Sequence, residues 1–140
     1  MDYKISENQL RSLNSLAHTI EQKLLEMQIT IAAHRQRLRF VHIHYVDYFS
    51  ENEFKNIENA IEVMYDLLES FCAEFNLQLE PANLRNELLI KANFLWEDLS
   101  AASVKNLKGH GNMSEELKTD YGKKINQMID NVNNLINQFN

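Results

Sequence analysis

Apolar residues recur along this chain at intervals of three and four, the spacing that lines one side of an α-helix. The longest run is Leu10, Leu13, Ala17, Ile20, Leu24, Met27, Ile31, His34, Leu38, Val41, Tyr45 and Tyr48, without interruption. It opens on Ser6, three residues before Gln9, with Ile5 and Leu10 placed to pack across the helix start; this is the grammar of a capping box with a hydrophobic staple. Ser50 repeats that grammar with Glu53, Phe49 and Phe54, so a second helix begins there. Its stripe is Phe54, Ile57, Ile61, Met64, Leu68, Phe71 and Phe75, and residues 76–80 form the break. Pro81 suits the first position of a third helix, where its missing N–H costs nothing. Leu84, Leu88, Ala92, Leu95, Leu99 and Ala102 then face inward, flanked by Leu89 and Trp96. Lys108-Gly109-His110-Gly111-Asn112 reads as a loop with glycine as a left-handed stop. Asn112 or Ser114 caps a fourth helix with the stripe Leu117, Tyr121, Ile125, Met128, Val132, Leu135 and Phe139.

Lengths turn these stripes into an architecture. Helices two to four come to about 25 to 28 residues, or roughly 40 Å each, which suits an antiparallel four-helix bundle. Helix one would reach about 64 Å if it ran unbroken from Ser6 to Tyr48, overhanging its neighbours by several turns. Either it breaks within residues 36–48, where β-branched and aromatic residues are dense, or the overhang is covered by another subunit. A short strand at 40–46 is the third option, although a lone strand has no partner within this chain. The expected fold is therefore all-α, an antiparallel four-helix bundle with a long or broken first helix, in one domain spanning residues 1–140.

Composition agrees with that class and narrows the setting. Among 140 residues there are three Gly and one Pro, too few turn-formers for a sheet protein of this size. The apolar content of 44% excludes disorder as a description of the whole chain. The net charge of −6 opposes binding to phosphate backbones and anionic membranes, so nucleic acid and membrane are not expected partners. Cys72, the only cysteine, cannot form an internal disulfide and falls in an apolar run, which suggests an inert buried thiol; the opening MDYKISENQL is not an apolar signal segment and no apolar run approaches the roughly 18 residues of a bilayer span, so a reducing, cytoplasmic location is the default expectation.

That charge is unevenly placed. Residues 34–50 carry Arg35, Arg37 and Arg39 against Asp47 alone, whereas residues 51–80 carry eight acids against Lys55. Two accounts fit. Helix two folds back so that its acids pair with the arginines, or the guanidinium forks form a site for an anion or an acidic partner. His34 sits at a core register position and reads as a neutral histidine inside the stripe; packed against a partner subunit, its protonation would oppose assembly. His42 and His44 point apart on a helix and share a face only on an extended segment. His44 and Asp47 could converge at i, i+3, but two ligands fall short of a metal site, and Glu-x-x-His, HExxH and CxxC patterns are all missing.

Arg37-x4-His42 and Arg39-x4-His44 match the spacing of the R-x4-H motif, and in that respect the segment is similar to the HEPN ribonucleases, helical domains that cleave RNA as dimers. The resemblance implies an arginine holding the scissile phosphate and a histidine moving the proton. It covers six residues. HEPN motifs usually have a polar residue directly after the arginine and lie on a late helix, whereas here Leu38 or Phe40 follows and the motif falls early. The primary expectation is instead a non-enzymatic interaction or regulatory module without cofactors. Its partner would be a second copy or another protein, engaged through residues 34–49 by Arg35, Arg37, Arg39, His42, His44, Tyr45 and Tyr48.

Overall fold

A computed structural model of the chain describes residues 3–36, 38–78 and 81–140. Within them the chain is entirely helical, with five helices and no strand. They are α1 (Glu7–Arg35), α2 (Glu51–Glu74), α3 (Leu84–Ala101), α4 (Val104–Lys108) and α5 (Glu115–Phe139). The chain divides into two compact units, Met1–Leu79 and Glu80–Asn140. Each is built on a pair of long helices.

In the first unit, α1 packs on α2. Ser6 forms the full capping box, its hydroxyl accepting from the Gln9 amide while the Gln9 side chain accepts from the Ser6 amide. α1 then ends at Arg35, 29 residues long, so the long-helix alternative is overturned in favour of the break. No glycine or proline marks the stop. The ending rests on the main chain: the Gln36 amide donates to the Ala32 carbonyl at 2.8 Å, and the Leu38 amide reaches back to Ala33 at 3.0 Å. Past Leu38 the β-branched and aromatic residues gain nothing from continuing as a helix. Residues 38–50 carry no regular secondary structure, and the expected strand at 40–46 does not form.

α2 starts on Ser50, whose hydroxyl accepts from the Glu53 amide, and Phe49 meets Phe54 edge-on at 5.4 Å as the staple requires. It stops in a Schellman motif: the Leu77 amide donates to the Cys72 carbonyl and the Asn76 amide to that of Ala73. Asn76 supplies the left-handed residue, at φ 53°. Between the two ends, Leu24, Phe54 and Ile61 are buried in the seam, and the Tyr65 hydroxyl donates to Gln28 at 2.9 Å. Cys72 is only partly buried. At the open end of the pair Tyr3 packs on Phe75, which also packs on Phe71.

In the second unit, α3 and α4 pack on α5. Helix three begins later than its sequence suggests. Its N-cap is Asn83, whose side chain accepts from the Asn86 amide, and Pro81 lies outside the helix. It also ends earlier, after 18 residues, because Ser103 caps a fresh helix with its hydroxyl on the Asn106 amide. The carbonyls left open at the break find side-chain donors, Tyr121 on Ala102 at 2.6 Å and Asn106 on Ala101. Gly109 follows α4 with right-handed dihedrals, so it is not the left-handed stop expected of it. Gly122 on α5 lets α4 approach closely: a Cβ there would lie 3.2 Å from a Val104 methyl. Ser114 caps α5, as one of the two expected residues. Ala92 and Val132 are the buried pair of this seam.

Each seam is narrow. At about 100° per residue, Leu16 and Met27 fall roughly 60 to 80° to one side of Leu24, and Met64 falls about 60° to the corresponding side of Ile61. All three are exposed. Leu88 and Leu95 on α3, with Met128 and Leu135 on α5, repeat the arrangement beside Ala92 and Val132 and are exposed as well. The sequence stripes are thus wider than the seams that use them.

Two outcomes follow from the ends of α2. Asn76→Gly should leave the urea midpoint unchanged or raise it, whereas Asn76→Val should cost about 1–2 kcal/mol, because a β-branched residue resists a positive φ. The Tyr3 hydroxyl donates to Glu74 at 3.0 Å, and this bond to the carboxylate, with its negative charge, holds the phenol above its ordinary pKa. A raised pKa means the contact is present below the ordinary phenol value, about 10, and is lost as pH rises through the folded value. Ultraviolet titration of tyrosinate should show one late-titrating tyrosine that moves earlier in Glu74→Gln.

Candidate functional site

The polarised segment begins with a clasp at the end of α1. Arg35 sits one turn beyond Ile31 on the last helical position, where the first turns of α2 pass beside it. Its guanidinium forks between two carboxylates, Glu51 at 2.7 Å and Glu58 at 3.0 Å, and lies 4.6 Å from the centre of the Phe54 ring. Phe54 is 7% exposed and the Arg35 side chain 33%, so the cation is partly withdrawn from water above a buried aromatic face. Planar geometry lets one group do all three things, which a lysine could not. Arg35 therefore joins α1 to α2, and of the two accounts of the charge pattern the folded-back pairing holds for this residue.

His34, the neighbour, is not buried in the seam. Its Nε2 pairs with Asp47, and both side chains are near 30% exposed. Asp47 also accepts from the Phe49 amide at 3.3 Å, which ties the end of the connection to the start of α2. Tyr45 lies edge-on to the His34 ring at 6.2 Å and to Phe40 at 5.5 Å. The connection is thus folded onto the tip of α1 by His34–Asp47 and by a short aromatic stack. Sequence spacing had suggested His44 as the partner of Asp47; the contact instead spans thirteen residues, which no local pattern reveals.

The other expected site residues among those described, Arg39, His42, His44, Tyr45 and Tyr48, lie on this connection. Arg39, His42 and His44 form no side-chain hydrogen bond among the described residues. Tyr48 is 93% exposed and Val41 87%. Arg37 lies outside the described residues. The R-x4-H spacing that is similar to HEPN ribonucleases is carried here by an irregular segment, so Arg39 and His44 are not placed by a helical register. Among the described residues no three His, Cys, Asp or Glu side chains converge as metal ligands, and no helix is long and apolar enough to cross a membrane.

Exposed main chain accompanies these side chains. Residues 39–49 make no backbone-to-backbone hydrogen bond among the described residues; of their amides, that of Phe49 donates to the Asp47 side chain. Alongside them Leu38, Ile43, Val46 and Phe49 are all more than half exposed. The segment offers apolar side chains and free backbone polar groups together, held at both ends by helices.

The clasp can be measured. Arg35→Ala should lower stability by about 1–2 kcal/mol, combining the cation–aromatic contact with two partly exposed ion pairs. Arg35→Lys should recover less than half of that in urea unfolding, and a loss equal to that of Glu51→Gln alone would show that the Phe54 face contributes nothing.

The chain matches no protein-family model, no curated protein and no solved structure.

Proposed function

We propose that this chain is a non-enzymatic helical interaction module that self-associates through residues 34–49. The observation that carries the reading is the connection between α1 and α2, where Val41, Ile43, Val46 and Tyr48 are exposed on a main chain with no backbone partners. Burying such a segment would remove apolar area from water at about 25 cal/mol per Å² and give its main chain backbone partners. The clasp at Arg35 presents it from a fixed base.

In the same reading the two helix pairs are halves of an antiparallel four-helix bundle, the arrangement that their lengths and one-sided apolar faces favour. A lone thiol with no internal partner favours a reducing compartment such as the cytoplasm. The chemistry offered by the segment suits a protein surface, chiefly a second copy.

Sedimentation equilibrium between about 1 and 100 μM tests the reading, concentrations that span typical weak and moderate association constants. The expected mass is twice the chain's 16.4 kDa at the upper end, falling to a single chain in Val41→Asp with Tyr48→Asp. A single-chain mass throughout would overturn it.

A further inference from the structure

We infer that the connection between α1 and α2 pairs with the same connection of a second copy as a two-stranded antiparallel ladder centred on Ile43. This deepens the self-association reading and rests on it. The segment available is bounded by the cap of α1 at Gln36 and the cap of α2 at Ser50, and the midpoint of residues 37–49 is 43. A two-fold axis through Ile43 therefore leaves equal lengths of the connection on either side, and a two-fold axis is what a closed pair of identical chains requires.

The register this axis imposes is self-complementary. Positions that add to 86 lie opposite each other, which places Arg39 against Asp47 of the second copy, Val41 against Tyr45, and Ile43 against Ile43. These share one face, because side chains alternate along a strand. The opposite face pairs Leu38 with Tyr48, Phe40 with Val46, and His42 with His44. Each of these pairs within residues 38–48 joins like polarity or opposite charge, the pairings that stabilise antiparallel strands; the outermost positions, Arg37 and Phe49, do not match in this way. Other registers lose this. A shift of one residue puts a histidine opposite Ile43 and Asp47 opposite Leu38 or Phe40. A shift of two in one direction puts Asp47 opposite Val41; in the other it keeps an acid–base pair, Asp47 with Arg37, but sets His44 opposite Phe40 and Tyr48 opposite Gln36, the α1 cap.

The single chain is prepared for the exchange. β-branched and aromatic residues dominate positions 40–49, and none of their backbone groups from 39 to 49 is paired with backbone among the described residues. Four contacts within the chain give way: the Phe40–Tyr45 edge contact, made across a bend at residues 41–42, the Tyr45–His34 edge contact, the His34–Asp47 pair, and the bond from the Phe49 amide to Asp47. Arg39, which makes no side-chain hydrogen bond among the described residues, then becomes the partner of Asp47.

Disulfide trapping reads the register directly. In a Cys72→Ser background, Ile43→Cys places two thiols across the axis, within reach of a disulfide, whereas Val41→Cys places its two copies about 14 Å apart. Val41 is the more exposed of the two residues, so random collision would favour it. The expected result is rapid covalent dimer from Ile43→Cys, at least tenfold faster than from Val41→Cys, and a Val41→Cys plus Tyr45→Cys mixture that links heterologously. Arg39→Asp should weaken the dimer at least tenfold, and adding Asp47→Arg should restore it. A dimer by mass with equal trapping at 41 and 43 would overturn the ladder while leaving self-association standing. A single-chain mass at about 100 μM, in the affinity range of weak complexes, would overturn both.

Discussion

The guanidinium of Arg35 fixes where the first helix pair turns. An unbroken stripe of apolar residues runs past it to Tyr48, and nothing in the residues that follow forbids a helix outright. What competes with continuation is a set of contacts available only if the chain leaves the helix there: the ring of Phe54 beneath the cation, and Glu51 and Glu58 at its two arms. All three belong to the first turns of α2, so they exist only once α2 has returned alongside α1. The end of one helix and the start of the next are thus a single cooperative unit. Phe54 is central to it, since the same ring caps the staple with Phe49, supports the cation and fills the seam.

The connection between Arg35 and Glu51 inherits its character from that arrangement. With its ends held by helices, the intervening chain has only the tip of α1 to pack against, and that tip offers one imidazole. Asp47 and Tyr45 use it, and Phe40 packs in turn on Tyr45. There is no room for Val41, Ile43 or Tyr48, which remain outside. Exposure here is therefore a geometric outcome of the short tip, and a polar sequence would have met the same constraint with less apolar area in water. That this sequence is rich in Val, Ile, Tyr and Phe is the property that needs a cause beyond the fold of one chain.

Much of this was legible in the sequence, and what was legible was local. Ser6, Ser50 and Ser114 announce their helices because a hydroxyl and the amide three residues on are neighbours in any context. The break between α3 and α4 was hidden for the opposite reason. The stripe Leu95, Leu99, Ala102 runs across it, and Ser103 is one more serine inside an apparently periodic run; only Tyr121 and Asn106, reaching the carbonyls of Ala102 and Ala101, make the interruption affordable. Stop signals misled in the same way. Gly109 has the residue type of a left-handed stop but right-handed dihedrals, while Asn76, the next-best residue for that conformation, takes the role at α2. The charge segregation between residues 34–50 and 51–80 was visible, yet which arginine would be used depended on where α1 ended, a tertiary fact.

The site divides along the same line. Arg35 was grouped with Arg37 and Arg39 because they share a sequence pattern, but a spacing of two residues places successive side chains on different sides of a helix, and the helix ends between them. Arg35 lies on the helical side of that boundary and belongs to the seam. Arg39 lies beyond it, on the connection, with Asp47 eight residues later as the only acid of that segment. An even separation is what lets the two occupy one face of an extended chain, and a position midway between them falls on Ile43. Arg39 and Asp47, which cancel in a linear count, are thus placed symmetrically about the apolar centre of the segment, a relation that a charge sum hides and that only the boundaries at Gln36 and Ser50 bring out.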